Sequence, residues 1–292
     1  MTIGKLSGQC DFGQKGQSYC NQRGQSCVAK RVKVAWLFQR AGISVPGGYE
    51  YTSPEAGMAD YRMYAGKPVV IKPKSTNFGL GITILKHNYD ETDFKGALQI
   101  AFEHDNTLLI EKFIPGREFR IFIINDEVVG ILHRVPANVT GDGVLNIGQL
   151  IDRKNEDPLR GKGYRTPLEK IRKGREEEMF LKQQGMDFNT VPKEGEVVYL
   201  RENSNISTGG DSIDFTDDID DSYKAIAVEA AKALNVKITG LDMMIQDIHA
   251  PATPDNYAII EMNFNPAIHI HCYPFKGKNR HLNHKMIRAL GF

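Results

Sequence analysis

The stretch "TLLIEKFIPGREFRIFIINDEVVGILHRVPANV", residues 107–139, constrains the fold more than any other part of the chain. Three runs rich in β-branched and aromatic residues are separated by turns at Pro115-Gly116 and Asn125-Asp126, and such runs read as strands. Turns this short join antiparallel neighbours, because a parallel crossover needs about a dozen residues or more. A second hairpin is legible in "VVIKPKSTNFGLGITIL", residues 69–85, and a third in "ITGLDMMIQD" and "NYAIIEMNF", joined through Pro251 and Pro254. Helical patterns alternate irregularly with these hairpins. The expected class is therefore α+β, not a doubly wound parallel sheet.

Around this frame, Val34, Leu37 and Phe38 recur at helical spacing from Ala29 until Gly42 and Pro46, and "DFKGALQIAFEHD" suits an amphipathic helix. Residues 152–195 are polar and charged, as expected of surface helices and loops. "EVVYLREN" reads as a strand leading into the glycine loop "SNISTGGDSID". Asp220 and Asp221 precede "SYKAIAVEAAKAL", where acidic residues favour the start of a helix, so capping is expected there and not metal binding. Residues 1–28 are rich in Gly, Gln, Ser and Cys without apolar periodicity. They read as a loosely ordered arm before a folded domain at 29–292.

Four groups of residues could carry chemistry. Glu261 and Asn263 lie two apart on a strand and so share a face, and Asp242 falls near them if the chain reverses between the prolines. Two carboxylates and an amide oxygen suit Mg²⁺ bridging nucleotide phosphates, with Mn²⁺ as a substitute. The competing reading is a half-exposed sheet face with ordinary polar residues. Lys72 lies within an apolar strand, where an unpaired ammonium is costly and a phosphate would pair it. Lys74 follows, and the loop from Ser75 through Asn77 and Gly79 to Gly81 could offer backbone N–H groups to that phosphate. The alternative is a glycine-containing surface turn with solvated lysines.

The third group is the strand end at Glu111, Lys112, Phe113 and Ile114, whose backbone could serve an adenine edge, with Glu118 accepting from ribose hydroxyls. A salt-bridged hairpin explains the same residues. The fourth is a set of arginines, Arg120, Arg134 and Arg201, whose guanidinium forks suit carboxylates and phosphates. Arg201, Asn203 and Asn205 alternate onto one face if their strand continues. "HIHCYP" invites a zinc reading at His269, His271 and Cys272, but an alternating strand would turn Cys272 away from the histidines. No Gly-x-Ser-x-Gly elbow or His-Glu-x-x-His is present.

Lys+Arg of 37 against Asp+Glu of 36 gives no bias toward nucleic acid or anionic membranes. No apolar run approaches the roughly 20 residues needed to span a bilayer. The N-terminus lacks the apolar core of a signal peptide. Cys10, Cys20 and Cys27 show no Cys-x-x-Cys spacing, and reduced thiols fit the expected cytoplasmic address.

In order along the chain, these pieces resemble the ATP-grasp superfamily, and within it the glutathione synthetase domain of bacterial bifunctional glutamate–cysteine ligase/glutathione synthetases. "KPKSTNFGLGI", "RVPANVTGDG", "RTPLEKI", "RENSNISTGGDSID" and "FNPAIHIHCYP" carry the resemblance from about residue 30 onward. Cyanophycin synthetase is similar at fewer of them. The resemblance implies an ATP-grasp fold clasping ATP between antiparallel sheets, with about 65–115 as a nucleotide-lid subdomain. It implies that Lys72 and the 75–81 loop hold phosphates, 111–114 meet adenine and Glu118 meets ribose. Asp242, Glu261 and Asn263 would ligate Mg²⁺, Arg201 would neutralise the transferring phosphoryl group, and Arg120 and Arg134 would grip substrate carboxylates.

The implied substrates are γ-glutamylcysteine and glycine. A cyanophycin-synthetase-like peptide ligase, or a nucleotide-binding subunit needing a partner, are the rival readings. A homodimer and a partner ligase domain are both compatible with the sequence. The lysine usual before the first helix has three candidates here, Lys30, Arg31 and Lys33.

Overall fold

The structure, a computed structural model, describes residues 37–76, 80–86, 88–263 and 265–291. The arm at 1–28, its cysteines, Lys30, Arg31, Lys33, Asn77 and Gly79 lie outside the described residues. A helical turn at 37–40 closes as expected at Gly42, whose φ of +74° is the left-handed conformation glycine adopts cheaply.

The first sheet has four strands in the order β1-β4-β2-β3, formed by β1 (Gly48–Tyr51), β2 (Val69–Pro73), β3 (Thr83–Leu85) and β4 (Leu108–Lys112). Every pairing in it is antiparallel. Helices α1 (Pro54–Ala59), α2 (Tyr61–Tyr64) and α3 (Glu91–Phe102) accompany it. The expected amphipathic helix is α3. Its Phe94, Ala97, Leu98 and Ala101, spaced three and four apart, pack with Val69, Ile71, Leu108 and Ile110 of the sheet. Asp90 caps it, accepting from the Asp93 N–H at 2.9 Å.

The second sheet has five strands, β11-β6-β5-β12-β13. They are β5 (Arg117–Ile124), β6 (Glu127–Val135), β11 (Asp211–Asp214), β12 (Ile238–Ile245) and β13 (Tyr257–Asn263), all antiparallel. The Asn125-Asp126 turn, with both residues at positive φ, joins the antiparallel neighbours β5 and β6 as expected, but Pro115-Gly116 is corrected: it carries the chain from β4 in the first sheet to β5 in the second and joins no paired strands. Alternation sorts the two faces. Phe119, Ile121, Ile123, Leu241, Met243, Ile245 and Ile259 bury into a core with Tyr223, Ala227, Ala230 and Ala231 of helix α6 (Asp221–Ala233). Asp220 caps that helix by accepting from the Ser222 N–H at 2.9 Å, as expected.

Between these strands lie the pair β7 (Asn138–Thr140) and β10 (Val197–Tyr199), the short parallel pair β8 (Arg160–Gly161) and β9 (Leu168–Glu169), and helices α4 (Ile147–Lys154) and α5 (Arg175–Gln183). Two expectations are corrected. "EVVYLREN" is extended only to Tyr199, and Arg201–Asn205 is irregular chain leading to a 3₁₀ turn at Ile206–Thr208. "HIHC" is not an alternating strand but one helical turn, α7 (His269–Cys272), followed by α8 (Leu282–Ala289). Among the described residues no helix is long and apolar enough to cross a membrane.

Candidate active site

A cleft of about 1320 Å³ is lined from both sheets. From the five-stranded sheet come Glu118, Arg120, Arg134, Asp242, Met244, Glu261 and Asn263; from the four-stranded sheet come Val70, Lys72, Glu111 and Lys112. Strand register brings the charged residues together. Arg120 on β5 stands opposite Asp242 on β12, which stands opposite Glu261 on β13. All three side chains leave the face opposite the apolar core because their neighbours along each strand, Ile121, Leu241 and Met243, point into it. The expected reversal around the prolines therefore occurs.

Asp242 is 2% exposed. Burial alone would raise its carboxyl, but the Arg120 and Arg134 guanidiniums hold it below the usual carboxylate range. Arg120 grips it with both Nε and NH2, the latter at 2.8 Å, while Arg134 reaches it at 3.2 Å and also pairs with Glu118. Gly240 makes this possible. A Cβ there would stand 2.7 Å from Pro266 and 3.1 Å from the Arg120 side chain, so the arginine stem crosses the strand where a side chain is missing. The arrangement departs from free arginines waiting for a ligand. These cations and carboxylates neutralise one another inside the protein.

Asp242, Glu261 and Asn263 offer hard oxygen donors from one face of adjacent strands, a set that fits Mg²⁺. Among the described residues no third His, Cys, Asp or Glu joins the two carboxylates, so the third donor is the Asn263 amide. Across the cleft, Lys72 is 9% exposed and pairs with Glu111 at 2.5 Å. The partner that its apolar strand demands is thus supplied within the protein, by the strand beside it. Phe113, Ile114, Val70, Ile84, Met244 and Ile260 give the same part of the cleft apolar walls. Two backbone donors proposed for an adenine edge are already used, Lys112 N–H to Gly47 and Phe113 N–H to Pro68.

Other expected residues sit apart. Lys74 pairs with Glu50 at 2.7 Å, and the Ser75 N–H and hydroxyl both bond Asp105; neither lines the cleft. Gly81, at φ +76°, also lies off the lining and packs against Pro73 and His104, where a Cβ would stand at 2.7 Å. Arg201 lines the cleft but pairs with Glu176 and with Glu177, the latter at 2.5 Å and 1% exposed. Asn203 and Asn205 line it too, though from irregular chain.

Residues that the sequence did not single out complete the site. His133 lines the cleft with its Nδ1 3.0 Å from the Glu118 carbonyl oxygen, and burial, aided by Arg117, pushes its imidazole down to about 4. Tyr164 also lines it, from a turn whose Gly163 and Tyr164 N–H groups donate to Glu169. Behind the 201–210 loop, the buried Arg160 donates to the carbonyls of Glu169 and Gly209 at 2.9 and 3.0 Å and pairs with Asp211. Lys154 bonds the same Asp211 at 2.7 Å. A glutamate six residues on from a glycine turn, as in "GYRTPLE", is the kind of local cue that could have found Glu169; Arg160 and Lys154 carry no such cue.

The family model described as D-ala D-ala ligase C-terminus matches residues 37–145. The fold is the ATP-grasp fold. The chain is 60% identical over 256 residues to a glutathione biosynthesis bifunctional protein GshAB of Desulfotalea psychrophila, covering 88% of this chain and 33% of that protein. The protein of the same name from Clostridium perfringens is 54% identical over 87% of this chain and 33% of its own length. A crystal structure of a bifunctional glutathione synthetase from Pasteurella multocida superposes with a TM-score of 0.68 at 45% identity, covering 90% of this chain and 36% of the other. The chain thus spans about a third of the length of the curated relatives it matches.

Proposed function

We propose that this chain is an ATP-dependent carbon–nitrogen ligase that joins γ-glutamylcysteine to glycine, forming glutathione, ADP and phosphate. One observation carries the reading: a chain 60% identical to a glutathione biosynthesis protein keeps an oxygen-donor set and a buried lysine on facing walls of one cleft. In this reading 29–292 is the ATP-grasp domain, with about 65–115 acting as a lid over the nucleotide. The expected cytoplasmic address goes with it.

The dipeptide's glycine-accepting carboxylate is a poor electrophile. Its oxygen attacks the γ-phosphorus of ATP, the bond to ADP breaks, and an acyl phosphate forms. The glycine nitrogen then attacks the carbonyl carbon, phosphate leaves, and the amine gives up a proton. Positioning and charge stabilisation accomplish this without a protein nucleophile. Lys72 takes phosphate charge, and the wall formed by Val70, Ile84, Met244 and Ile260 suits the adenine ring. Glu118 accepts from ribose hydroxyls, and Arg120 and Arg134 take substrate carboxylates. Arg201, braced by Glu177, faces the transferring phosphoryl group. Mg²⁺ held by Asp242, Glu261 and Asn263 supplies further charge neutralisation at the phosphates.

The test is ADP release by purified protein given Mg-ATP, γ-glutamylcysteine and glycine, with each omitted in turn. ADP only in the complete mixture is expected. ADP formed equally well with other amines in place of glycine would overturn the acceptor assignment.

A further inference from the structure

Within the cleft, the ligand expected at Asp242 and the group now bound there compete for the same oxygens. Arg120 donates to both of them, through Nε to Oδ1 and NH2 to Oδ2. Arg134 adds a third contact, to Oδ2 at 3.2 Å. A carboxylate has about four lone-pair positions, and a divalent cation needs at least one of them facing the cleft. A dication placed there would lie against two guanidiniums, and in a site this buried like charges repel strongly. The carboxylate cannot keep its full arginine clasp and also serve the cation.

We propose that Arg120 is the resident counter-ion of Asp242, and that the divalent cation displaces it, releasing a guanidinium into the cleft to meet the anion that enters with the cation. The proposal rests on the metal assignment made above. Three features favour Arg120 as the group that moves. Its stem crosses over Gly240, where no Cβ blocks a swing. Its side chain lines the open cleft. Arg134 is held in addition by Glu118, so it has an anchor if it loosens from Asp242. Arg120 also feels Glu261 as well as Asp242, so one cation taking both carboxylates removes both attractions together. The consequence is coupling: without an anion in the cleft to receive the freed guanidinium, the nucleotide's phosphate first and the substrate carboxylate after it, the cation binds poorly.

Mn²⁺ titration followed by electron paramagnetic resonance, alongside thermal unfolding, tests this without relying on turnover. In the wild-type protein without nucleotide, Mn²⁺ should bind weakly. In Arg120→Met, Mn²⁺ affinity without nucleotide should rise by roughly 5- to 150-fold, the usual span of a coupling between two ligands. The melting temperature of Arg120→Met should fall and be restored by Mn²⁺. The double variant Arg120→Met/Asp242→Asn should regain the lost stability with no Mn²⁺ present and gain nothing from Mn²⁺. Should Arg120→Met fail to fold, Arg120→Lys should show the same rise in affinity, smaller in size.

Wild-type protein with a non-hydrolysable ATP analogue, compared with Glu261→Gln, separates the two layers of the reading. Protein-bound Mn²⁺ in the first and not in the second supports the metal site. If that site is present but Arg120→Met and Arg120→Lys leave Mn²⁺ affinity unchanged, the exchange is overturned and the pair is a fixed strut. If neither sample binds Mn²⁺, the metal assignment falls and the exchange falls with it.

Discussion

On the five-stranded sheet the cleft's charges stand in a row set by strand register, Arg120 opposite Asp242 opposite Glu261, and the row is clasped by Arg134. On the four-stranded sheet a single lysine, Lys72, meets a single glutamate, Glu111. The difference lies in how each wall keeps a buried charge tolerable. The first wall uses a network in which Asp242, Arg120 and Arg134 each face more than one opposite charge; the second uses a pair. A network that exchanges one member for a ligand keeps its remaining contacts, whereas a pair that opens leaves its other member without an opposite charge. Under the proposed function, the chemistry falls to the first wall and the gripping of nucleotide to the second.

Substitutions can break that contrast. Asp242→Asn or Glu261→Gln should lower kcat for ADP formation by roughly 10²–10³-fold, as loss of one preorganised charge-stabilising group does. Lys72→Gln should act mainly on binding, raising KM for ATP by roughly 10- to 100-fold, because a charge-assisted hydrogen bond contributes about 1.5–3 kcal/mol. Steady-state kinetics at varied ATP distinguishes the two, and equal effects on kcat from both walls would erase the division of labour.

The contrast also extends to stability. Arg160 is fully buried beside Asp211, at the edge of the five-stranded sheet, so Arg160→Met leaves that buried carboxylate one cation short and should cost about 3–5 kcal/mol by denaturant titration. The Lys154 contact to the same Asp211 sets the lower end of that range.

Acid should act through the same side of the molecule. Burial, followed by nearby Arg120, pushes the His271 imidazole down to about 3, and His133 is held at about 4, against an ordinary 6.5. The folded protein therefore binds fewer protons than the unfolded chain as pH falls below 6.5. Each histidine removes stability at about 1.4 kcal/mol per pH unit, until about pH 4 for His133 and about pH 3 for His271. His271→Leu should lower the slope between pH 6 and 4 by about 1.4 kcal/mol per pH unit, read from denaturation midpoints across pH. The smallest effect is expected at Lys74. Its pairing with Glu50 lies off the cleft, so Lys74→Ala should cost at most about 1 kcal/mol and leave KM for ATP nearly unchanged.

What was legible in the sequence follows the range of the interactions. Strands β5, β6, β12 and β13 announced themselves through period-two alternation, and Asp220 through its place before a helical pattern, because both signals are local. The alignment of Asp242 with Glu261 was legible because one proline-containing turn joins their strands. The pairing of Lys72 with Glu111 was not, since it depends on β4 lying beside β2 across helix α3. The bracing of Arg201 by Glu176 and Glu177 depends likewise on how α5 packs against the loop. "HIHC" misled because four residues with alternating polarity fit one turn of helix as well as a strand; its two histidines end up differently, His271 buried and His269 at the cleft.

Strand β12 carries Leu241 and Met243 toward the core and Asp242 toward the cleft, one residue apart. A slip of one position in its pairing would drive a carboxylate into the oily interior and turn two large apolar side chains outward, so the misaligned chain could not settle. Folding thereby proofreads the charged row. In a refolding experiment the recovered soluble fraction should be uniformly competent, with misassembled chains lost to aggregation instead of persisting as well-folded but idle molecules.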